Sequence, residues 1–511
     1  MTGREVARYD DLRAGQLAAN HRRHWGRVMT QYEPVIGLEI HVQLSTRTKM
    51  FCGCVLSFND PPNTHTCPVC LGLPGALPVL NARAVHYGIM IGLALECDIA
   101  ERSLFHRKNY FYPDLPKGYQ ISQYDVPLCR GGHLGEVRIH RVHLEEDAAK
   151  LNHLGTSGRI HGSDRSWVDF NRGGTPLVEI VTEPDLRSPE QAREWPALLR
   201  TTLRQLGVSD VNMEEGSLRV DANVSVRPAG STELGTKTEL KNMNSFRFLE
   251  RGVRAEIARQ IALLSSGEAV VQETLHYDPS SNTITSLRSK EEAHDYRYFP
   301  EPDLVPLVVT DEMLASARAG MPAELPVERA ARFERQLGLH ADIAWLFARR
   351  TDLGDYFERA LAAAGGNGDP ATIDPVELSN WIPQLAERIG TEADPAESNV
   401  APESLAALAT MVKAREVSRD AAREVLTRLV EEGGDPRAII EREGLGAITA
   451  QDDGLGEIVD RAIASDPAAA EQVRSGNNKA IGPLVGYVMR ETKGRADGGE
   501  ITRLIRQRLG L

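Results

Sequence analysis

The sequence predicts an α+β protein: a mixed-sheet domain, then an all-α helical domain, then a small helical tail domain. Three observations carry this reading. Residues 31 to about 325 mix short alternating apolar–polar runs with Gly, Pro and Asn turns, and they lack the regular strand-then-helix alternation of a doubly wound parallel sheet. After about residue 330 the texture changes to Ala, Leu, Glu and Arg at helical spacing. The length, 511 residues, exceeds what one hydrophobic core fills. The boundaries that follow are 1–30 as an N-terminal extension, 31–328 as the mixed-sheet domain, 329–439 as the helical domain and 440–511 as the tail.

Residues 1–30 carry Arg and Asp throughout and have no apolar run, so they read as a solvated extension and not as a signal peptide; Met29 offers a second start. No stretch approaches the roughly 18 apolar residues of a membrane helix. Apolar residues make up 41% and charged residues 26%, as in ordinary folded proteins. A net charge of −13 argues against a general nucleic-acid coat, so any RNA site must be a local patch. The six cysteines are few and four of them cluster, which points to a reducing compartment and a metal site.

The first strand is Ile36-Gly-Leu-Glu-Ile-His-Val-Gln-Leu44. Ile36, Leu38, Ile40, Val42 and Leu44 share one face; Glu39, His41 and Gln43 share the other. Glu39 and His41 thus lie roughly 7 Å apart along the strand and are able to share a cation. The pattern equally describes the wet face of an amphipathic strand. Next, Cys52-Gly-Cys54 and Cys67-Pro-Val-Cys70 form two close pairs joined by a loop, the spacing of a tetrahedral zinc site. Two disulfides or four free thiols are the alternatives, but a Cys-x-Cys disulfide is strained. Four thiolates leave no open position, so such a zinc is structural.

The run Leu144-Glu145-Glu146-Asp147 places three acids together, costly without a cation or several donors. In Pro176-Leu-Val-Glu-Ile-Val181, Glu179 interrupts an apolar run and needs an arginine, a proton or a metal. Glu39, His41, Glu146 and Glu179 together make an oxygen-rich set with one imidazole, suited to Mg²⁺ or Mn²⁺. From Arg219 to Arg227, Arg219, Asp221, Asn223, Ser225 and Arg227 alternate with aliphatic residues, a face of both charge signs that suits a phosphate and its cation. If extended, Gly235 to Lys241 puts Lys237, Glu239 and Lys241 on one face, and the two lysines are candidates for phosphate oxygens. Neither a Gly-x-x-x-x-Gly-Lys-Ser/Thr loop nor a Gly-x-Gly-x-x-Gly loop occurs, so side chains and the metal must hold any nucleotide.

Arg107 to Tyr119 interleaves basic and aromatic residues, including Lys108, Tyr110, Lys117 and Tyr119. That mixture suits stacking on a base; aromatics around prolines also simply pack loops. Further on, Ser418 caps a helix with an apolar stripe of Ala421, Ala422, Val425, Leu426, Leu429 and Val430, and Gly433 ends it. Loops break the helices near 365–370 and 391–402. From residue 471 onward eight basic residues, among them Lys479, Arg490 and Lys493, stand against four acids, a local reversal of the acidic balance. Gly482 and Gly486 are one helical turn apart, which lets a backbone approach.

These segments resemble a known family. Val35-Ile-Gly-Leu-Glu-Ile-His-Val42, Thr66-Cys-Pro-Val-Cys-Leu-Gly-Leu-Pro-Gly75, Arg107 through Tyr124, Val178-Glu-Ile-Val-Thr-Glu-Pro-Asp185, Asp295 through Leu304 and the tail segment Asn477 through Met489 are similar to the B subunit of the tRNA-dependent aspartyl/glutamyl amidotransferases. The resemblance runs from about residue 31 to the C-terminus and is weaker over 330–400. It implies a cradle-shaped catalytic domain, Mg²⁺ at Glu39, His41, Glu146 and Glu179, ATP as phosphoryl donor, and a cytoplasmic heterotrimer with an amidase A subunit plus a small C subunit. It also implies mischarged Glu-tRNA(Gln) or Asp-tRNA(Asn) as substrate, with the tail as a tRNA-binding module. No amidase nucleophile signature is present, which leaves glutamine hydrolysis to another chain.

Overall fold

The computed structural model describes residues 32–57, 59–154, 163, 165–279, 281–289, 296–365, 373–448, 453–492 and 495–511. The expected extension 1–30 with Met29, the expected loop from 366 to 370, Asp295 and Lys493 lie outside the described residues. The chain divides into two compact units, Met1–Leu325 and Pro326–Leu511.

The first unit is organised by a ten-stranded mixed sheet. Its strands are β1 (Tyr32–Gln43), β2 (Asp98–Ile99), β5 (Cys129–Arg130), β6 (Val137–Glu146), β7 (Pro176–Thr182), β8 (Leu218–Pro228), β9 (Thr238–Met243), β10 (Glu273–Asp278) and β11 (Thr283–Ser289), with β3 (His106–Asn109) and β4 (Tyr119–Ser122) in a separate small sheet. The order across the large sheet is β11-β10-β9-β8-β1-β7-β6-β5-β2, and a two-residue strand at His133–Leu134 pairs with β6. All neighbours run antiparallel except β9 and β10, which are parallel. β1 sits at the centre. Ile36, Leu38, Ile40 and Val42 are fully buried, as the period-two pattern requires, while Glu39, His41 and Gln43 keep partial exposure on the opposite face. Each of those aliphatics contributes about 1.5–3 kcal/mol by leaving water.

Helices cover the sheet. α1 (Ala82–Ala94) packs against β6; α2 (Pro189–Gln205) packs on α3 (Phe246–Ser266), which lies along β8 and β9. Ser188 and Ser245 cap α2 and α3 by accepting from Gln191 N–H and Phe248 N–H. Asn81 caps α1 and its amide donates back to the carbonyls of Thr48 and Lys49, which ties the cysteine loop to the helix.

The second unit is all helical among its described residues. One buried cluster runs from Phe333 to Leu445 and another from Leu455 to Leu509. The marked helix forms as expected: α4 (Arg419–Glu432) has Ser418 accepting from Ala421 N–H, buries Ala421, Ala422, Val425, Leu426 and Leu429, and ends at Gly433, whose φ of 70° is the positive region glycine tolerates.

Candidate functional site

Strand register assembles the site. On β1, His41 lies opposite Arg219 of β8 on one side and Glu179 of β7 on the other; Glu179 in turn lies opposite His143 of β6. Four strands therefore contribute one residue each to a row: Arg219, His41, Glu179, His143. Cross-strand partners stand about 4.5–5.5 Å apart, so their side chains meet. One step along, Glu39 faces Asp221, and Glu145 faces Leu177 on the same side of the sheet.

At the centre, His41 Nε2 is 3.8 Å from Glu39 Oε1, 3.6 Å from Glu145 Oε1 and 3.5 Å from Glu179 Oε2. His143 Nε2 is 3.4 Å from the same Glu179 Oε2 and 3.6 Å from Glu145 Oε2. The remaining oxygen of Glu179 accepts from Arg141 Nη2 at 3.1 Å, and Glu145 Oε2 accepts from the Ser122 hydroxyl at 3.0 Å. Two groups of three have ligand atoms all within 4.8 Å of one another: Glu39, His41 and Glu179, and His143, Glu145 and Glu179.

Burial opposes charge at each of these groups, and the neighbours decide the outcome. Burial lowers the His41 imidazole, but the hydrogen bond and charge of Glu179, with Glu145 and Glu39, lift it to about 9. Glu179 is held well below the usual carboxylate range by His143 and His41 against its burial. Glu145 is lowered by His143 and His41, again against burial. Burial and the charge of Glu179 raise Glu39. Glu179 and Glu145 raise His143 although burial pushes it down. Buried carboxylates that stay ionised beside one another suit a hard divalent cation, and oxygen donors with one or two imidazoles are its preferred set.

The expectation that Glu146 joins Glu39, His41 and Glu179 is corrected, because the pleat of β6 sends it the other way. Arg141, His143 and Glu145 share the polar face; Val142, Leu144 and Glu146 point through the sheet. Glu146 is buried there, ion-paired with Lys117 and accepting from Ile121 N–H at 2.9 Å. With Lys117, Tyr119, Cys52 and Cys70 it lines a cavity of about 180 Å³. Sequence reasoning missed Glu145, His143 and Arg141. The signal was available in Arg141-Val-His-Leu-Glu145, a polar–apolar alternation that mirrors Glu39-Ile-His41 and assigns Glu145, not Glu146, to the polar side.

A cavity of about 800 Å³ opens on the row, lined among others by His41, Lys108, Tyr110, Arg219, Asp221 and Lys241. Arg219 Nη2 lies 2.9 Å from Asp147 Oδ2, yet Nε and Nη2 are buried without an aligned acceptor. Lys241 Nζ pairs with Asp221 at 2.9 Å and with Glu239 at 3.3 Å. Lys108 is held protonated by Tyr298, Glu145 and Glu179 despite burial, and its Nζ lies 5.0 Å from the Tyr296 ring centre. The structure does not bring Ser225 and Lys237 here. Ser225 faces Val35, roughly 13 Å along β8 from Asp221, and its hydroxyl donates to the Val35 carbonyl. Lys237 precedes β9 and is exposed, because the strand begins only at Thr238. Of the basic–aromatic segment, Lys108 and Tyr110 reach this cavity, while Lys117 and Tyr119 lie at the smaller one, with the Tyr119 ring under Arg107 at 4.3 Å. Lys479 and Arg490 are exposed in the helical unit, and a Cβ on Gly482 or Gly486 meets nothing within 4 Å.

The four loop cysteines converge: one Sγ from each of Cys52, Cys54, Cys67 and Cys70 lies within 4.8 Å of the others, and all four are free thiols. The Cys67-Pro-Val-Cys70 turn places Cys67 N–H 3.2 Å from Cys70 Sγ. The Cys52 thiol pulls Cys70 down to about 4, against burial. Lys49, fully buried, donates to the Phe170 carbonyl at 2.9 Å and lies 3.7 Å from Cys70 Sγ. Gly174 makes this possible, since its φ is 87° and a Cβ there would press the Lys49 stem at 3.3 Å. Four soft donors in two close pairs fit zinc.

The row on the mixed sheet and the four-cysteine loop both fall within residues 34–315, which match the GatB/GatE catalytic domain, and residues 355–509 match the GatB domain. The chain is 49% identical over 500 aligned residues to the B subunit of the aspartyl/glutamyl-tRNA(Asn/Gln) amidotransferase of Frankia casuarinae, covering 95% of this chain and 97% of the relative. It is 47% identical to the B subunit from Carboxydothermus hydrogenoformans, over 94% of this chain and 99% of the relative. With the B subunit from Thermobifida fusca it shares 47% over 95% of each. The chain belongs to the B-subunit family of the aspartyl/glutamyl-tRNA(Asn/Gln) amidotransferases and is part of a ligase-type amidotransferase. No helix among its described residues is long and apolar enough to cross a membrane.

Proposed function

We propose that the chain carries out the ATP-dependent transamidation of Glu-tRNA(Gln) and/or Asp-tRNA(Asn) to Gln-tRNA(Gln) and Asn-tRNA(Asn), using ammonia from glutamine hydrolysed by a partner amidase. The relatives' names support the tRNA and the amidation. The observation that carries the chemistry is the row of Arg219, His41, Glu179 and His143, flanked by Glu39 and Glu145, opening on a cavity whose walls carry both charge signs, with Lys108, Arg219 and Lys241 among them.

A carboxylate does not react with ammonia, because oxide is not a leaving group. A side-chain carboxylate oxygen of the aminoacyl-tRNA attacks the γ-phosphorus of ATP, the bond to the bridging oxygen breaks and ADP leaves. Ammonia then attacks the acyl carbon of the resulting acyl phosphate; inorganic phosphate departs and the new amide nitrogen gives up a proton. Glu39, His41, Glu145 and Glu179 would hold Mg²⁺, which when bound would supply charge neutralisation for phosphate oxygens. The unaligned N–H groups of Arg219 are donors for those oxygens, and Lys241, anchored by Asp221, adds a second positive charge. Lys108 and Tyr110 line the wall that the aminoacyl end meets. Positioning of this kind contributes about 7–11 kcal/mol to such a step. Ammonia has to arrive unprotonated, which favours direct delivery within a cytoplasmic heterotrimer of this chain, an amidase A subunit plus a small C subunit. The four cysteines hold a structural Zn²⁺, and the tail from about residue 440, with Lys479 and Arg490, binds tRNA.

The test is the purified chain, with and without its partners, given Glu-tRNA(Gln), Mg²⁺ and an ammonia source. Gln-tRNA(Gln) should form only when ATP is added. Product without ATP, or none with ATP and both partners, would overturn the reading.

A further inference from the structure

The two three-group clusters around Glu179 pose a question of stoichiometry. Each has the composition of a divalent-cation site, and they share Glu179. Two ions bridged by one carboxylate are a known arrangement for phosphoryl transfer, with the metals about 3.5–4 Å apart. One hydrogen bond decides between one ion and two.

Arg141 Nε donates to His143 Nδ1 at 3.3 Å, while Arg141 Nη2 donates to Glu179 Oε1 at 3.1 Å. A guanidinium has donors only, so the Nδ1 atom facing it has to present a lone pair. With Nδ1 accepting from Arg141, the ring's proton is on Nε2, the side on which Glu179 and Glu145 favour it. Nε2 is the atom that faces Glu179 Oε2 at 3.4 Å and Glu145 Oε2 at 3.6 Å. A nitrogen that bears a proton has no lone pair for a metal. His41 differs: its Nε2 faces Glu39, Glu145 and Glu179 across the open face, and no arginine N–H is bonded to its ring among the described residues.

We propose that His143 is a positioning residue and not a ligand: locked by Arg141, its Nε2–H aligns the carboxylates of Glu179 and Glu145, so that a single cation is held by Glu39, His41, Glu145 and Glu179. The Ser122 hydroxyl assists by occupying the same Glu145 Oε2 that His143 faces, which turns Oε1 toward His41. Arg141 assists by occupying Glu179 Oε1, which leaves Oε2 inward. Each carboxylate is thus held at one oxygen and offered at the other. This is the outer-shell arrangement that fixes ligand geometry, and removing such a partner typically weakens metal affinity about 10- to 100-fold.

The inference rests on reading this cluster as a cation site, and the experiment separates the two. Mn²⁺ is the probe, titrated into the zinc-loaded complex and followed by electron spin resonance, with spin-echo modulation counting the imidazole nitrogens bonded to the ion. Wild type should bind one Mn²⁺ per chain with one coordinated imidazole, lost in His41→Gln. His143→Leu should keep the one-to-one stoichiometry and weaken binding by about 10- to 100-fold. His143→Gln, which returns an N–H near the same place, should recover most of that loss and leave the imidazole signal unchanged. Two Mn²⁺ per chain, or two coordinated imidazoles in wild type, would make His143 a ligand and overturn the inference alone. Undiminished affinity in His143→Leu would remove its positioning role. No Mn²⁺ bound by wild type would sink both the inference and the cation site beneath it.

Discussion

The two clusters that fit ions are built in opposite ways. The carboxylate–imidazole cluster stands on adjacent strands of a sheet whose ladder bonds and buried aliphatics hold it in place. The four cysteines stand on a segment, residues 44–81, that among its described residues has no regular element beyond the isolated bridge Thr48↔Val55. The sheet positions its ligands whether or not an ion arrives. The loop has no ladder of its own: it hangs on hydrogen bonds from Asn63 and His65 to residues 168–171 and on the buried Met50 and Phe51, so the proposed zinc would add a cross-link where regular structure is missing.

The prediction with the largest effect breaks the loop. Cys67→Ser removes one thiolate from a centre of the kind whose zinc contributes on the order of 10 kcal/mol. Melting temperature should fall by about 10 °C or more, zinc content should drop to near zero, and proteolysis should begin in the loop. An unchanged melting curve would show that the loop orders itself without metal.

The next prediction sets neighbours on one strand against each other. Glu146→Gln leaves the buried Lys117 ammonium without its carboxylate and should cost about 3–5 kcal/mol of stability in a denaturant titration, with Mn²⁺ affinity retained. Glu145→Gln should do the reverse. If the Glu146 variant lost cation binding instead, the assignment of the two faces of β6 would be wrong.

On the sheet side, Glu179→Gln should reduce ATP-dependent amidation by about 10²- to 10³-fold, roughly 2.7–4 kcal/mol of transition-state stabilisation, while the melting temperature moves by only a few degrees. Glutamine hydrolysis by the partner should continue. A variant with normal amidation would remove Glu179 from the site. The smallest effect leaves both clusters alone. Arg490→Ala should raise KM for aminoacyl-tRNA a few-fold and reduce the salt slope of binding by about one, with kcat, zinc and Mn²⁺ affinity unchanged. A slope that does not move would separate Arg490 from the RNA.

Much of this was legible in the residues. Period-two alternation placed Glu39 and His41 on one face and the aliphatics of β1 in the core, and Ser418 and Gly433 bounded a helix whose stripe is buried as expected. The lone acid in an apolar run made Glu179 conspicuous, and it is the residue on which both histidines converge. What stayed hidden was phase and pairing. Three consecutive acids at 145–147 do not announce which one faces inward; that follows only when Val142 and Leu144 are recognised as one side of the strand. Arg219 and Asp221 share a face with Ser225 in the sequence, but register carries Ser225 past the ion cluster to Val35. Lys237 looked equivalent to Lys241 only so long as the strand was assumed to reach it. The partner of Lys117 is 29 residues away, a contact no local pattern reveals.

The two clusters also differ in when a growing chain completes them. The four cysteines span residues 52 to 70, so that centre has all its ligands early, while most of the protein is still to be made. The proposed cation site takes its ligands from positions 39, 41, 145 and 179, and it closes only after β7 has been synthesised and has docked beside β1 and β6. Loop closure over such distances is slow, and it precedes any binding energy the assembled row gains. On the proposed assignments zinc has the opportunity to guide folding early, and the second cation binds only once these strands have paired, so a nascent chain stalled before residue 179 should hold the first metal and be blind to the second.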